Sequence, residues 1–356
     1  MKIGILTFQW AHNRNFGASL QSYACKKLLD KISNLQNVKI INFIPNNLTL
    51  KGKILAYFTA KNFREYNQKF LSLTPKIEKF EELKKLNNEF DTFVVVSDQV
   101  WRGIWNLDSK THYFFDFVND NKKKIAYAAS FGVDYWEGTP ELTEKIKPLI
   151  KRFDYISVRE ESGIDICKNT FGVDDAVCVL DPTLMISKED YQPILDDWKD
   201  KSHLKKKYIA HMLLDDTEEL KKESQNIANY LKEDINYIKG KYKKILWKKY
   251  FSYNKVSQWF TYLKDAELVI TDSFHCTVFS IIFHKKFVVV ANPMRGIARL
   301  ETLLSKVGLE ERFFTDIKDV MKSGILDKEI DYDEVEKKLA IHRKYSMDFL
   351  KKALED

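Results

Sequence analysis

Short apolar runs alternate along this chain with longer stretches whose apolar residues recur at three- and four-residue spacing. In the first half, Ile3 to Phe8, Val38 to Phe43, "TFVVVS" (92–97), "KIAYAAS" (124–130) and "YISV" (155–158) predict strands, and the intervening pattern predicts helices near 18–29, 141–153 and 162–169. A second series repeats the alternation: "KYIAHMLL" (207–214), a helix over about 217–232, a strand near 235–238, the helix "NKVSQWFTYLKDA" (254–266), the junction "ELVITDSFHCTVFSIIF" (267–283) and the strand "KFVVVA" (286–291). Val256, Trp259, Phe260 and Leu263 give the i, i+3, i+4, i+7 stripe of a helix with one buried face. Strand and helix in strict alternation predict parallel, doubly wound sheets. The fold class is therefore α/β, with two Rossmann-like domains over 1–174 and 175–356, the second closing on a long helix at about 333–354. The polar, Lys- and Asn-rich segment 46–90 reads as an insertion of loops and helices. In "KGKYKKILWKKYF" (239–251), apolar residues at 242, 245, 246 and 250 predict an amphipathic surface helix.

Composition narrows the setting. Hydrophobic residues at 44% and charged residues at 31% describe a globular chain, and no apolar run approaches the ~20 residues needed to span a bilayer. The N-terminus lacks the apolar core and small-residue cleavage site of a signal peptide, and Cys25, Cys167, Cys178 and Cys276 form neither a CxxC pair nor a set in register with histidine. The expectation is a cytoplasmic protein with no metal and no cofactor. The net charge of +7 comes from lysines scattered over the chain rather than from one patch, which argues against nucleic-acid binding. The basic, aromatic stretch 239–251 leaves open a peripheral contact with the inner membrane surface or with a lipid diphosphate.

Polar residues concentrate where strands end. "NRNFGASLQSYA" follows the first strand, "SDQVW" follows "FVVV", "ASFG" follows "IAYA", "VRE" follows "YIS", and "TDSFHCT" follows "ELVI". Ligands of open parallel sheets bind beyond the carboxyl ends of the strands, so these junctions should face one cleft between the domains. A helix N-terminus at Ser273 offers unpaired N–H groups and the positive end of the peptide dipoles to an anion, although Ser273 or Thr271 could equally serve only as a cap.

The ordered set Asn15-Phe16-Gly17 with Leu20-Gln21, Ser97-Asp98-Gln99-Val100-Trp101, Ala129-Ser130-Phe131-Gly132, Val158-Arg159-Glu160, Asp181-Pro182-Thr183, and Thr271-Asp272-Ser273-Phe274-His275 with Arg295 resembles the polysaccharide pyruvyl transferase family. The resemblance runs from about residue 3 to 312. It implies a GT-B-like architecture, phosphoenolpyruvate as donor substrate, and a glycan or undecaprenyl-linked sugar as acceptor, joined as a pyruvate ketal in surface polysaccharide synthesis. It also implies donor-binding roles for Ser273, His275, Thr277, Arg295 and Arg159. Two positions depart from the family pattern: Cys276 and Val96 stand where glycine is usual.

Phosphoenolpyruvate carries a phosphate and a carboxylate on three carbons, so its pocket needs cations and N–H donors at close range. His275, Arg295 and Arg159 meet that need, and an imidazole can also move a proton. Asp98 completes the candidate catalytic set as a base or hydroxyl-binding carboxylate. On the acceptor side stand Asn15, Gly17, Gln99 and Trp101: amides for sugar hydroxyls, a close backbone approach, and a ring to stack. Arg159 could instead be spent on Glu160, Glu161 or the acidic loop near 174, and Cys276 reads as a packing thiol. A nucleotide-sugar GT-B glycosyltransferase, or a non-catalytic sugar- or anion-binding relative, remains open as an alternative.

Overall fold

β-Branched runs build two sheets. The computed structural model describes residues 1–9, 14–33, 37–44, 49, 57–104, 110–200, 202, 206–245 and 248–356. In the first lobe β1 (Ile3–Leu6), β2 (Val38–Ile40), β3 (Thr92–Val96), β4 (Lys123–Ala129), β5 (Tyr155–Val158) and β6 (Val177–Cys178) form one parallel sheet in the order β2-β1-β3-β4-β5-β6. The first sheet thus runs on past residue 174. In the second lobe β7 (Tyr208–Met212) and β8 (Asp234–Tyr237) precede a hairpin of β9 (Gly240–Ile245) and β10 (Lys248–Tyr253), followed by β11 (Leu268–Thr271), β12 (Lys286–Val290) and β13 (Phe313–Phe314). Its sheet is also parallel, in the order β13-β12-β11-β7-β8. Strands β1, β3, β7 and β11 are buried at every residue, as expected when helices cover both faces.

The longer helices are α1 (Phe16–Ser33), α2 (Lys61–Phe70), α3 (Pro140–Ile150), α4 (Glu161–Phe171), α5 (Glu218–Leu231), α6 (Val256–Asp265), α7 (Phe274–Ile282), α8 (Ala298–Val307) and α9 (Tyr332–Glu355). Helix α6 buries the stripe its spacing predicts. Helix α7 is buried at every position and lies inside the second lobe, which suits its almost wholly apolar sequence. The lobes share a core. Phe16 of α1 stacks on Trp259 of α6 with centroids 5.0 Å apart, and Tyr23 donates from its hydroxyl to the Asp190 carbonyl at 2.8 Å. Helix α9 returns across the junction, where the Ser346 hydroxyl accepts the Leu180 N–H at 2.9 Å.

Two expectations are corrected. The basic stretch from 239 is not a helix but the β9–β10 hairpin, with Tyr242 paired to Phe251 and Lys243 to Tyr250; Trp247 lies outside the described residues. Closely spaced Tyr, Phe and Ile favour a pleated ladder, and a two-stranded ribbon leaves room for lysine between them. Trp101 is not available to a sugar. It is 1% exposed, stacks on Phe114 at 5.1 Å and donates its indole N–H to the Tyr113 carbonyl at 3.0 Å. Replacing Trp101 by Ala is expected to lower the free energy of unfolding by about 3–5 kcal/mol in urea denaturation. A loss below about 1 kcal/mol would contradict its place in the core.

Candidate active site

The carboxyl ends of the two sheets meet, and they meet around a buried carboxylate. Asp181, in the segment that leaves β6, starts a single tight turn at Pro182–Leu184: its Oδ1 accepts the Thr183 N–H at 3.0 Å and the Thr183 hydroxyl at 2.6 Å. Its Oδ2 accepts from Arg159 Nη1 at 2.9 Å and from the Ser97 hydroxyl, and lies 3.5 Å from His275 Nε2. Arg159 and Ser97 come from the ends of β5 and β3 in the first lobe, His275 from the first turn of α7 in the second. Burial would raise the Asp181 pKa, but His275, Arg159 and Ser97 together hold it well below the usual carboxylate range.

Gly17 fixes the imidazole from the other side. A Cβ built on Gly17 would stand 2.3 Å from His275 Nδ1, so only glycine lets the first turn of α1 pack on that ring. Asn15, one residue ahead of α1, is exposed and accepts the Ala18 N–H at 3.1 Å, which makes it the cap of the helix. The ring faces Asp181 through its buried Nε2, which at 3.5 Å forms no hydrogen bond there and has no other partner among the described residues.

Two guanidinium groups flank Phe274. Arg159 lies 4.4 Å and Arg299 6.0 Å from the ring centroid. Arg159 Nη1 is satisfied by Ser97 at 3.0 Å and by Asp181, whereas its Nε and Nη2 are buried without hydrogen-bond partners among the described residues, 3.9 Å from Glu160 and Asp98 respectively. Arg299, on α8, donates from Nη2 to the Arg295 carbonyl at 2.7 Å; with the Gln99 amide turned so that its oxygen faces Arg299, both terminal nitrogens donate to it at 2.8 Å, and Nε has no partner among the described residues. Burial and then the like charge of Arg159 push Arg299 down to about 9. A guanidinium keeps its proton at neutral pH, so this is a poorly compensated cation.

Two more carboxylates, Glu160 and Asp98, lie near these guanidinium groups without hydrogen-bonding to them. Glu160 is turned toward backbone: Oε1 accepts from Phe131 N–H at 2.7 Å, the Ser130 hydroxyl at 2.9 Å and Gly132 N–H at 3.2 Å. Burial pushes its pKa up, against the pull of Arg159 and Arg299. Asp98 sits in the left-handed region at φ 77°, with Oδ1 accepting the Gln99 N–H at 2.9 Å and Oδ2 buried without a partner.

The other expected residues divide. Ser273 begins α7 with no side-chain cap bond, which leaves its hydroxyl and the helix N-terminus to the cleft. Thr277 is not available: it is fully buried and its hydroxyl bonds back to the Ser273 carbonyl at 3.1 Å. Arg295 stands on the rim, tied through Nε and Nη2 to Asp215 at 2.8 and 2.9 Å. The guanidinium the site receives from this part of the chain is instead that of Arg299, one helical turn later. Arg102 of the first lobe pairs with Glu137 and donates to the Met294 carbonyl at 3.3 Å, bracing this loop across the cleft. Cys276 is buried in the apolar core, and burial pushes its thiol up to about 12, so it is neither a nucleophile nor part of the anion pocket.

The profile of the polysaccharide pyruvyl transferase family matches residues 15–293, a span that ends just before Arg295 and Arg299. No curated protein matches the sequence. Among solved structures, UDP-GlcNAc 2-epimerase from Neisseria meningitidis bound to UDP-GlcNAc is similar at 10% identity over 100% of both chains, with a TM-score of 0.54. The S. aureus MnaA–UDP co-structure is similar at 12% identity over 91% of this chain and 88% of that one, with a TM-score of 0.49. At such identities the likeness concerns fold alone, and the two-lobed arrangement is GT-B-like.

Gly17→Ala is expected to keep the fold but displace the imidazole, and a shift of about 1 Å at a reacting group lowers turnover on the order of 100-fold. Unchanged turnover would separate His275 from the chemistry. Asp181 has a depressed folded pKa, so its contribution to stability is complete above the unfolded value of about 4 and is lost as pH falls toward the folded one. Unfolding of wild type and Asp181→Asn should therefore differ most at neutral pH and converge on acidification below about 4; a constant gap would contradict the ionised buried carboxylate.

Proposed function

Because the chain belongs to the polysaccharide pyruvyl transferase family, we propose that it moves the enolpyruvyl-derived group of phosphoenolpyruvate onto two hydroxyls of a glycan, forming a pyruvate ketal and releasing phosphate. The observation that carries this reading is a set of buried guanidinium N–H groups beside Phe274 that have no hydrogen-bond partner among the described residues. Arg159 and Arg299 present three guanidinium N–H positions without partners beside the uncapped start of α7, an arrangement that suits one small molecule with two anionic groups.

The reaction needs a proton on the donor methylene, attack of one sugar hydroxyl on the resulting cation-like carbon, departure of phosphate, and attack on the same carbon of a second hydroxyl, whose proton leaves on the phosphate. His275, in its protonated form, donates the first proton from Nε2, with Asp181 ionised beside it and Gly17 holding the ring in place. Asp98 Oδ2, buried and unpartnered, takes a proton from the attacking hydroxyl. Arg159 and Arg299 hold the carboxylate and phosphate and stabilise the charge on the departing phosphate. Gln99 orients Arg299.

The test is incubation of the purified protein with phosphoenolpyruvate and a panel of glycan acceptors, with phosphate release and the mass gain of a ketal as readouts. Titration calorimetry should place the donor on the two arginines: Arg159→Lys and Arg299→Lys are each expected to lose about 1.5–3 kcal/mol of donor binding, on the order of ten- to hundredfold. Donor affinity unchanged in both variants, or binding of nucleoside diphosphates in place of phosphoenolpyruvate, would overturn the assignment.

A further inference from the structure

The β9–β10 hairpin, where periodicity predicted a helix, forms one wall of a cavity of about 430 Å³ that lies apart from the arginine cluster. The rest of the wall comes from β8, the first turn of α6, Trp198 and, across the lobe boundary, Asn62 of α2. A volume of this size holds a monosaccharide with a charged substituent.

Its charge is one-sided. Lys241, Lys243 and Lys255 line it, and among the described residues none of the three is within ion-pair distance of a carboxylate. The acid whose field Lys255 feels, Asp197, is taken by Lys69 and by the Ser257 hydroxyl at 2.7 Å. Lys255 also stands at the N-terminus of α6, where no side chain caps the helix, so the positive end of the peptide dipoles adds to the lysines. Between the charges lie groups suited to a sugar. Tyr253 and Tyr262 bring rings with polar edges, and the Trp198 indole N–H is out of solvent with no hydrogen-bond partner among the described residues.

The cations differ in kind between the two sites. The proposed donor site uses planar guanidinium forks, which take carboxylate and phosphate alike through paired N–H groups, whereas this cavity uses only ammonium groups, compact point charges that bind phosphate without a fixed fork. The two are linked through packing: the Tyr253 ring lies 6.3 Å from that of Phe16, the residue before Gly17, which in turn contacts His275.

We propose that this cavity binds the phosphate-bearing end of a saccharide acceptor, a sugar phosphate or sugar diphosphate, with Lys241, Lys243 and Lys255 on the phosphate and Tyr253 and Tyr262 against the ring. The identification of this ligand as the acceptor rests on the pyruvyl-transfer reading; the binding does not. Calorimetric titration of the full-length protein with N-acetylglucosamine 1-phosphate, N-acetylglucosamine and inorganic diphosphate tests it, beside the Lys241→Gln/Lys243→Gln/Lys255→Gln variant. These lysines are exposed, and circular dichroism checks the variant's fold. The expected result is a preference of about tenfold or more for the sugar phosphate over the neutral sugar, lost in the variant, with phosphoenolpyruvate binding unchanged. Equal affinity of wild type and variant for the sugar phosphate would overturn the site, and inorganic diphosphate binding as tightly as the sugar phosphate would overturn its saccharide part. Failure of phosphoenolpyruvate to bind the wild type would instead sink the pyruvyl-transfer reading and leave a lysine-dependent sugar phosphate site standing.

Discussion

One buried carboxylate holds the cleft in order. Asp181 is 2% exposed, and a carboxylate so placed is tolerated only when its charge is met from several sides. Ser97 and Arg159 meet it from the first lobe, Thr183 from its own turn, and His275 faces it from the second lobe. The position of the imidazole thus depends on the relative placement of two sheets, and the shared core at Phe16 and Trp259, together with the return of α9, fixes that placement.

Around this anchor the hydrogen-bonding capacity of the guanidinium groups is not used up among the described residues. Asp181 uses one nitrogen of Arg159 and leaves two, and Glu160 spends one oxygen on backbone N–H groups and the Ser130 hydroxyl. Arg299 adds a second guanidinium with no carboxylate of its own. Buried guanidinium N–H groups without protein partners are costly, and an anionic ligand that accepts from them offsets that cost. Burial likewise marks structural thiols and indoles: Cys276 and Trp101 are packed into the apolar cores of the two lobes.

Much of this was legible from residue order. Apolar runs marked the strands, helical spacing marked α6, and polar clusters at strand ends marked the cleft, because parallel sheets buried on both faces leave only their ends for chemistry. What was hidden depended on tertiary context. Arg295 and Arg299 are four residues apart, and nothing local says which of them turns inward; Asp215, far away in sequence, captures the first. Thr277 looks like a donor ligand until its helix is known to be wholly buried. The stretch from 239 satisfies helical spacing, but its aromatic and β-branched residues pair across a ladder instead, and the cavity they create could not be read from spacing at all. Trp101 follows a functional motif in sequence yet points into the core.

The most direct test of the central claim is a crystal structure of the protein grown with phosphoenolpyruvate. The account predicts ligand oxygens within hydrogen-bonding distance of Arg159 and of Arg299 Nε, with the methylene carbon beside His275 Nε2 and the contact of His275 with Asp181 retained. Density for the ligand against Arg295 and Asp215 on the rim, with both inner guanidinium groups left without an anion, would contradict it.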